Sequence, residues 1–457
     1  VKDLTEVRSP QRKHMPDKVG SDIDVQTSLR GIAKKASLNK QYRFRDLYRL
    51  LNTQMMHLAW RGLKKNAAIA DDDITVKEYG MGLEANLEQL VERLKQKRYR
   101  AKLIKRRYIP KENGKQRPLG IPALEDKIVQ KAAAMILTAM YEQEFLDCSY
   151  GYRPNKGAKD AVSDLTFQLQ FGVFGYIVEA DIKGYFDNID HDKLLGMLNK
   201  RIDDRAFLRL ITKWLKAGIL EPDGYVKHPV TGTPQGGLVS PILSNIYLHV
   251  VLDEWFEQVV KPRLKGRAVM CRYADDWVCA FQYREDARRF YSVLPKRLGR
   301  YELQIEPSKT KIIRFSRFHP SRKKGRTFTF LGFEIYWYKD RKGTVRVKRR
   351  TAPSKLKGAL QRMTSWLKTS RHLPKHEFFK MLKKKLIGHY NYYYVHGNAR
   401  SVWTFYSLTI WYAHKWLNRR SQRKSYSWEK FKQVLEYTGI PRPRPTEKKR
   451  LHQCSLG

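Results

Sequence analysis

The chain has 457 residues, 42 % of them apolar, which is long enough for a substantial core and too apolar for a disordered protein. Its 91 Lys and Arg stand against 45 Asp and Glu, a formal net charge of +46, and a surplus of that size points to a polyanion partner rich enough in phosphate to match it. No apolar run approaches the roughly 20 residues of a membrane span, the first forty residues do not read as a signal peptide, and Cys148, Cys271, Cys279 and Cys454 form no C-x-x-C pair; the reading is an intracellular, cytoplasmic and nucleoid-associated protein with neither a zinc site nor a disulfide framework.

In chain order, residues 1–40 are polar and read as a tail or a loosely docked arm. From about Tyr42 the spacing of Phe44, Leu47, Tyr48, Leu50 and Leu51 predicts a helix, and Leu83, Leu87, Leu90, Val91 and Leu94 predict another. The stretch "YIPKENGKQRPLGIP", 108–122, has a turn signal at Asn113–Gly114 and prolines on both sides; it predicts a hairpin-like loop carrying Lys111, Lys115 and Arg117. A helix is predicted from about Leu124 to Tyr141. "GYIVEADIKGYFDNID", 175–190, is a strand running into an acid, with Asp190 placed to cap a helix from His191. A glycine-rich loop, "TGTPQGG", leads to Ser240 and Pro241, a cap followed by proline at the first helical position. Residues 268–281 predict two short strands around an acidic turn, and "FTFLGFEIYW", 328–337, alternates as one more strand. After about residue 345 the pattern is helical and very basic: residues 341–457 hold 29 Lys and Arg against 4 Glu and no Asp, so a quarter of the chain carries more than half the net charge. "PRPRPTEKKR" closes it as an extended basic tail.

Three acids carry the chemistry. Asp181 ends a predicted strand, and Asp275–Asp276 sit in a tight turn between apolar runs. Alone, a pair of adjacent acids is an ordinary solvated turn. If the two strands are neighbours in one sheet, however, the three carboxylates converge at one edge. Clustered carboxylates are costly for an empty protein, because like charges repel and lose hydration, and that cost is relieved by hard divalent ions such as Mg²⁺. Two Mg²⁺ ions, with Mn²⁺ as the substitute, suit an in-line phosphoryl transfer.

The ordered set around these acids resembles a known family. "YADD" between apolar strands, with "ADIKGYFDNIDH" and "TGTPQGGLVSPILSNIYL" upstream, is similar to reverse transcriptases, and more narrowly to the proteins encoded by bacterial group II introns. "RPLGIPALEDKIVQKA" and "SYGYRPNKGAKDAV" match that family's finger segments, while "GHYNYYYVHGNARSVWTFY" and "WLNRRSQRKSYSWEKF" resemble its thumb and maturase region. The likeness runs from about residue 41 to 444.

The resemblance implies an α+β right-hand polymerase. Residues 1–40 would be an N-terminal extension, 41–175 the remaining extension and fingers, 176–340 an antiparallel-sheet palm, 341–440 an α-helical thumb/maturase domain and 441–457 a basic tail. It implies that Asp181, Asp275 and Asp276 are the metal-binding catalytic carboxylates, with the Ile182 carbonyl an added ligand. Phe186 matches a steric gate whose ring would collide with a 2′-hydroxyl. Gln235 matches a residue packed on the incoming nucleotide and template, Lys111 and Arg117 match finger residues that grip the triphosphate, and Lys309 matches a lysine near the leaving pyrophosphate. Leu331–Gly332 fits a primer-grip turn. Nucleic-acid contacts are expected from the basic runs Lys383, Lys384 and Lys385, and Arg419, Arg420, Arg423 and Lys424. The Tyr-rich stretch near Tyr390–Tyr394 reads first as thumb packing and second as a stacking surface.

The implied partners are a structured intron RNA, an RNA template with a DNA primer, target DNA and deoxynucleoside triphosphates, and no membrane. The implied function is RNA-templated DNA synthesis joined to maturase activity in splicing and retrohoming. Two other readings stay open on the sequence: a related enzyme repurposed for DNA repair or phage defence, and a catalytically inactive RNA-binding splicing factor, against which the presence of all three acids argues. Two departures from the family pattern stand out. "NAAIADDDITVKEY", 66–79, replaces a G-V-D-G-type turn, and no Cys/His-rich endonuclease segment follows the thumb.

Overall fold

Apolar residues at period two and at three-to-four spacing sort the chain into strands and amphipathic helices, and the computed structural model describes residues 19–63, 75–110, 114, 116–320, 326–420 and 425–444. Lys111, Lys115, Arg423, Lys424, Cys454, most of the 66–79 stretch and the tail after residue 444 lie outside the described residues. The helices are α1 (Val19–Leu38), α2 (Thr53–Arg61), α3 (Val76–Met81), α4 (Leu83–Lys95), α5 (Leu124–Tyr141), α6 (Ala158–Phe171), α7 (His191–Asn199), α8 (Arg205–Leu215), α9 (Ser240–Leu248), α10 (Arg284–Gly299), α11 (Pro353–Thr369), α12 (Lys375–Tyr393), α13 (Ala399–Leu417) and α14 (Trp428–Tyr437). The strands are β1 (Ile104–Pro110), β2 (Gln116–Ile121), β3 (Tyr176–Ala180), β4 (Ile219–Leu220), β5 (Val226–Lys227), β6 (Ala268–Tyr273), β7 (Asp276–Phe281), β8 (Lys311–Arg314), β9 (Phe328–Phe330), β10 (Phe333–Lys339) and β11 (Val345–Thr351). The result is a mixed α and β protein in two compact units: Val1–Ile109, Arg117–Phe145 and Asp190–Ile246 form one, and Pro110–Gln116, Leu146–Ile189 and Tyr247–Gly457 the other.

The first unit is organised around α5. Ile128, Val129, Ala132, Ala133, Ile136, Leu137 and Met140 are all fully buried on it, and its alanines let α1 and α2 approach closely. A small sheet, ordered β2-β1-β4-β5, completes the unit, with Ile104 of β1 opposite Ile219 of β4. Asp190 caps α7 by accepting the Lys193 N–H at 2.8 Å, as its sequence position predicts.

In the second unit a four-stranded antiparallel sheet, ordered β6-β7-β3-β8, shares its core with α6 and with a three-stranded sheet, β11-β10-β9. α10 packs against β3, β7 and β8, where Phe290 meets Phe281, Trp277 and Phe256 with ring centroids 5.2–6.2 Å apart. α11–α14 enclose a core of their own, including Leu367, Phe378, Leu382, Leu386, Phe405 and Leu417.

Four local expectations change. The polar N-terminal stretch contains α1, which packs on α5. The helix expected from Tyr42 is irregular save for one 3₁₀ turn at Tyr48–Leu50, because Phe44 exchanges backbone hydrogen bonds with Arg201 and Asp203 and Asp46 takes a left-handed φ of 58°. The single strand expected at 328–337 is a hairpin, β9 and β10, that turns through Leu331 and Gly332 at φ 49° and 78°. Residues 345–351 are the strand β11 and not helix: Val345, Val347 and Thr351 alternate, and β11 pairs with β10 from Phe333 opposite Thr351 to Lys339 opposite Val345. The sheet therefore extends past residue 340, the expected limit of that region.

Residues 148–150 add a short pairing to the edge of β6: the Arg272 N–H donates to the Cys148 carbonyl at 2.7 Å, and the Tyr150 N–H to the Arg272 carbonyl at 2.8 Å. Gly151 follows directly, and a Cβ there would lie 2.3 Å from the Ala274 backbone nitrogen. Backbone, not a movable side chain, fills that space. Gly151→Ala is expected to lower stability to urea by about 1–3 kcal/mol, while Gly196→Ala, whose Cβ would meet nothing within 4 Å, leaves the unfolding midpoint within about 0.5 kcal/mol of the parent protein or above it.

Candidate active site

The hairpin between β6 and β7 has only two loop residues, Ala274 and Asp275, closed by the Tyr273–Asp276 pair. Ala274 has φ 56°, a conformation that two-residue hairpins require at the first loop position and that glycine adopts with least strain. A buried arginine holds it there. Arg272 forks onto Asp253, Nε to Oδ1 at 2.7 Å and Nη2 to Oδ2 at 2.5 Å; Nη2 also donates to Ser149 Oγ at 2.7 Å, and Nη1 to the Ala274 carbonyl at 3.1 Å. Arg272 and Asp253 are both fully buried. Burial alone would raise the Asp253 pKa, but the Arg272 guanidinium, helped by His249, holds the carboxyl below its usual value. Sequence reasoning missed this pair. The available signal was Arg272 inside the apolar run "AVMCRY" and the acids Asp253 and Glu254 inside "HVVLDEWF".

Asp181 arrives by strand register. β3 runs antiparallel to β7 and their last pair is Ala180 opposite Trp277. The next position on each strand is Asp181 on one and Asp276 on the other, so the register sets these two strand ends side by side, with Asp275 next in the turn. Its electrostatic mark is on Asp276. That side chain stays open to solvent on one side, yet its pKa is pushed up to about 7, first by loss of hydration and then by the Asp275, Asp181 and Glu179 carboxylates. A hydrogen bond from the Leu331 backbone pulls the other way. Leu331 is itself held by α12: Tyr392 donates its hydroxyl to the Leu331 carbonyl at 3.0 Å, and the Tyr392 ring stacks on Phe333 with centroids 6.0 Å apart.

The other expected residues of this unit lie around the acids. Lys309 forms an ion pair with Asp181, which raises the lysine's pKa. Ile182 is buried and bridges Ile305. The hydrogen bonds of that bridge run through Lys183 to Gln304 and Glu306 to Asp181, which leaves the Ile182 carbonyl out of it. Gly184, at φ 56°, turns the chain into a 3₁₀ turn, Tyr185–Asp187. There Tyr185 takes the buried position, while Phe186 is half-buried beside it, rings 5.2 Å apart, so Phe186 is not the core residue of the two.

Arg117 and Gln235 belong to the first unit. Arg117 is exposed on β2. Three residues on, the Gly120 N–H donates to the Gln235 carbonyl at 2.6 Å, and Gly236, at φ 121°, would place a Cβ 2.3 Å from the Gly120 oxygen. The glycines thus let the loop lie flat against β2. Gln130 on α5 supports it by accepting the Leu238 N–H at 2.9 Å. Ser240 begins α9, but its hydroxyl donates to the Pro234 carbonyl at 2.9 Å, tying the loop to the helix. Lys383, Lys384 and Lys385 are exposed on α12; Arg419 is exposed, and Arg420 donates to the Leu373 carbonyl at 2.8 Å. Tyr390 and Tyr394 are buried in the core of α11–α14, so packing accounts for them. Cys148, Cys271 and Cys279 are free thiols, and no helix among the described residues is long and apolar enough to cross a membrane.

Among the described residues no three or more His, Cys, Asp or Glu side chains are grouped so that they alone could hold a metal ion. What the sheet edge offers is a set of oxygen donors crowded around Asp276, a chemistry that fits a hard divalent cation taking its remaining ligands from water and substrate phosphate.

Comparison with known proteins adds a family match over residues 109–335, to a model described as reverse transcriptase (RNA-dependent DNA polymerase). The group II intron-encoded protein LtrA of Lactococcus lactis subsp. cremoris is 40% identical over 233 residues, 50% of this chain and 38% of LtrA. Protein YkfC of Escherichia coli is 34% identical over 303 residues, 58% of this chain and 75% of YkfC. The nuclear intron maturase 1 of Arabidopsis thaliana mitochondria is 28% identical over 95 residues, 21% of this chain and 13% of that protein. The chain thus spans under half the length of LtrA.

Two outcomes are expected. Asp276 carries a pKa of about 7 in the folded chain against about 3.9 unfolded. The folded protein therefore holds a proton that the unfolded chain has released, and that contribution to stability is lost as pH rises from about 4 through about 7. Asp276→Asn should melt higher than the parent protein at pH 8 in EDTA, with the gap closing towards pH 5. Arg272→Met should be the opposite case: it leaves Asp253 buried without its cation, and should cost about 3–5 kcal/mol in denaturant unfolding, whereas Arg272→Met with Asp253→Leu recovers much of that loss.

Proposed function

We propose, for a chain that belongs to the reverse transcriptase family with group II intron-encoded proteins among its relatives, that it is an RNA-directed DNA polymerase which also binds a structured intron RNA as a maturase. The single observation that carries the polymerase reading is the β3–β7 register, which puts Asp181 beside the Asp275–Asp276 turn. In this reading the architecture is a right hand, with β6-β7-β3-β8 as the palm sheet, the β1–β2 region as fingers and α11–α14 as the thumb. Residues 41–175, 176–340 and 341–440 are its approximate divisions, the palm side extended by β11.

Asp181, Asp276 and Asp275, with the Ile182 carbonyl, would hold divalent cations, two Mg²⁺ in the fullest form of the reading. When bound, such cations supply charge neutralisation and polarisation of phosphate oxygens. The chain's own groups do the rest. Arg117, with Lys111, would grip the triphosphate, and Gln235 would pack against the nucleotide and template from its glycine-freed loop. Phe186, standing out from the core beside Tyr185, would meet the 2′ position of the sugar and favour deoxynucleotides. Lys309 Nζ donates to Asp181, which keeps its ammonium beside the acids, where it would stand near the leaving pyrophosphate. Catalysis in this scheme is alignment and charge stabilisation, with no covalent intermediate on the chain.

The maturase part draws on the basic surplus of residues 341–457 and on the relatives named for introns. Template RNA, DNA primer, deoxynucleotides, intron RNA and target DNA are the proposed partners. The test is primer extension on an RNA template with Mg²⁺. Extension is expected from the parent chain, a loss of at least about 10³-fold from Asp275→Ala, and increased ribonucleotide incorporation from Phe186→Ala. An inactive parent chain that still binds RNA tightly would favour a splicing factor without polymerase chemistry.

A further inference from the structure

The β9–β10 turn meets the acids on one side and α12 on the other, and one residue makes both contacts. A backbone hydrogen bond from Leu331 reaches the Asp276 carboxylate, and the Leu331 carbonyl accepts the Tyr392 hydroxyl at 3.0 Å. The first bond favours the charged carboxylate, so its donor is the Leu331 N–H. The two bonded peptide groups lie on either side of one Cα, and only the φ and ψ of Leu331 relate them. Leu331 stands at φ 49°, a left-handed conformation that a residue with a side chain avoids. Gly332 follows at φ 78°, and its carbonyl accepts the Ala352 N–H at 2.9 Å.

A plainer account is that Tyr392 only packs a helix onto a hairpin. It covers the ring. Tyr392 stacks on Phe333 with planes 16° apart, and Tyr393 meets the same ring with centroids 5.4 Å apart. Neither contact needs a hydroxyl, and a phenylalanine would make both. Tyr392 is 39% exposed, so burial does not force its hydroxyl onto a protein acceptor. The hydroxyl nonetheless bonds the one residue of the turn whose backbone also bonds Asp276. Packing leaves that coincidence without a cause.

We propose that Tyr392 is a positioning residue for the divalent-cation site: through the Leu331 backbone, its hydroxyl fixes where the Asp276 carboxylate stands at the sheet edge. Tyr392 touches no reacting group. It holds one ligand in place before the cation arrives, so less ordering is left to be done on binding. Without the hydroxyl the strained turn has one restraint fewer, and the carboxylate that it holds gains freedom. The inference rests on the polymerase reading above and deepens it, since it adds to the acids a residue of α12.

The test uses the full chain. Tyr392→Phe keeps the ring and removes the hydroxyl, and Tyr393→Phe makes the same change beside Gly332. Binding of Mn²⁺ is read without nucleic acid, from the electron paramagnetic resonance signal of the free ion, with Asp276→Asn defining the ions bound elsewhere. Tyr392→Phe should raise the Kd of the Asp276-dependent ion about twofold to tenfold, the range of one hydrogen bond, and Tyr393→Phe should leave it unchanged. In primer extension, half-saturating Mg²⁺ should rise by the same factor in Tyr392→Phe, kcat should return at saturating Mg²⁺, and the KM for primer–template should hold. A turn that merely gripped the primer would raise that KM instead. Parental Mn²⁺ affinity in Tyr392→Phe overturns the inference. So does an equal loss in Tyr393→Phe, which would mean a generally loosened turn, or a parent chain that binds no Asp276-dependent ion. A parent chain that extends no primer, but whose Mn²⁺ affinity still depends on Tyr392, would sink the polymerase reading and leave this one standing, so the two fail separately.

Discussion

The buried fork between Arg272 and Asp253 is the constraint on which the rest of the second unit depends. Two full charges removed from water are expensive, and their mutual attraction roughly offsets that expense at best. Their value lies in geometry. A guanidinium bound at both carboxylate oxygens has one orientation, and its remaining donors reach Ser149 and the Ala274 carbonyl. Ala274 is thereby kept in a left-handed conformation that alanine would not choose, and the hairpin closes in two residues. Gly151, packed without a side chain against the same backbone, supports it from outside. The acids that follow are held by a rigid turn and not by a loop.

That rigidity has an electrostatic consequence. Asp275, Asp276, Asp181 and Glu179 are gathered where the sheet ends, and the crowding is recorded in the raised pKa of Asp276. Two lysines answer part of the charge, Lys309 on Asp181 and Lys311 on Glu179 at 3.0 Å, while a backbone hydrogen bond from Leu331 lowers the pKa of Asp276. A cation at Asp276, the acid at the strand junction, would relieve that repulsion.

The same backbone contact ties the acids to the helices after residue 353. Tyr392 holds the Leu331 carbonyl, and the Ala352 N–H holds the Gly332 carbonyl at 2.9 Å, so the β9–β10 turn is gripped from two places. Leu331 in turn faces Asp276. Desolvation, then Tyr393, Tyr273 and Asp276, pushes the Tyr392 hydroxyl up to about 12, which keeps it a donor at any physiological pH. A shift of α12 would reach the acids through one strained residue.

Much of this was legible in the residues themselves. Apolar strands flanking "YADD", the helix from Leu124, the cap at Asp190, the helix start at Ser240 and the basic C-terminal quarter all follow from local pattern, because period, capping and charge are properties of neighbours in sequence. The strand at 345–351 was hidden by its arginines, which mask an alternation that only pairing with β10 makes visible. α1 was hidden in the same way, since a polar helix shows its buried face only when α5 is there to cover it. What only the tertiary structure decided is which distant residues meet: Asp253 with Arg272, Gly151 with Ala274, and Tyr392 with Leu331. Local sequence specifies backbone preference within a few residues, whereas these contacts depend on strand register and helix packing across a hundred residues or more in some cases, and the chemistry of the acids depends on that register.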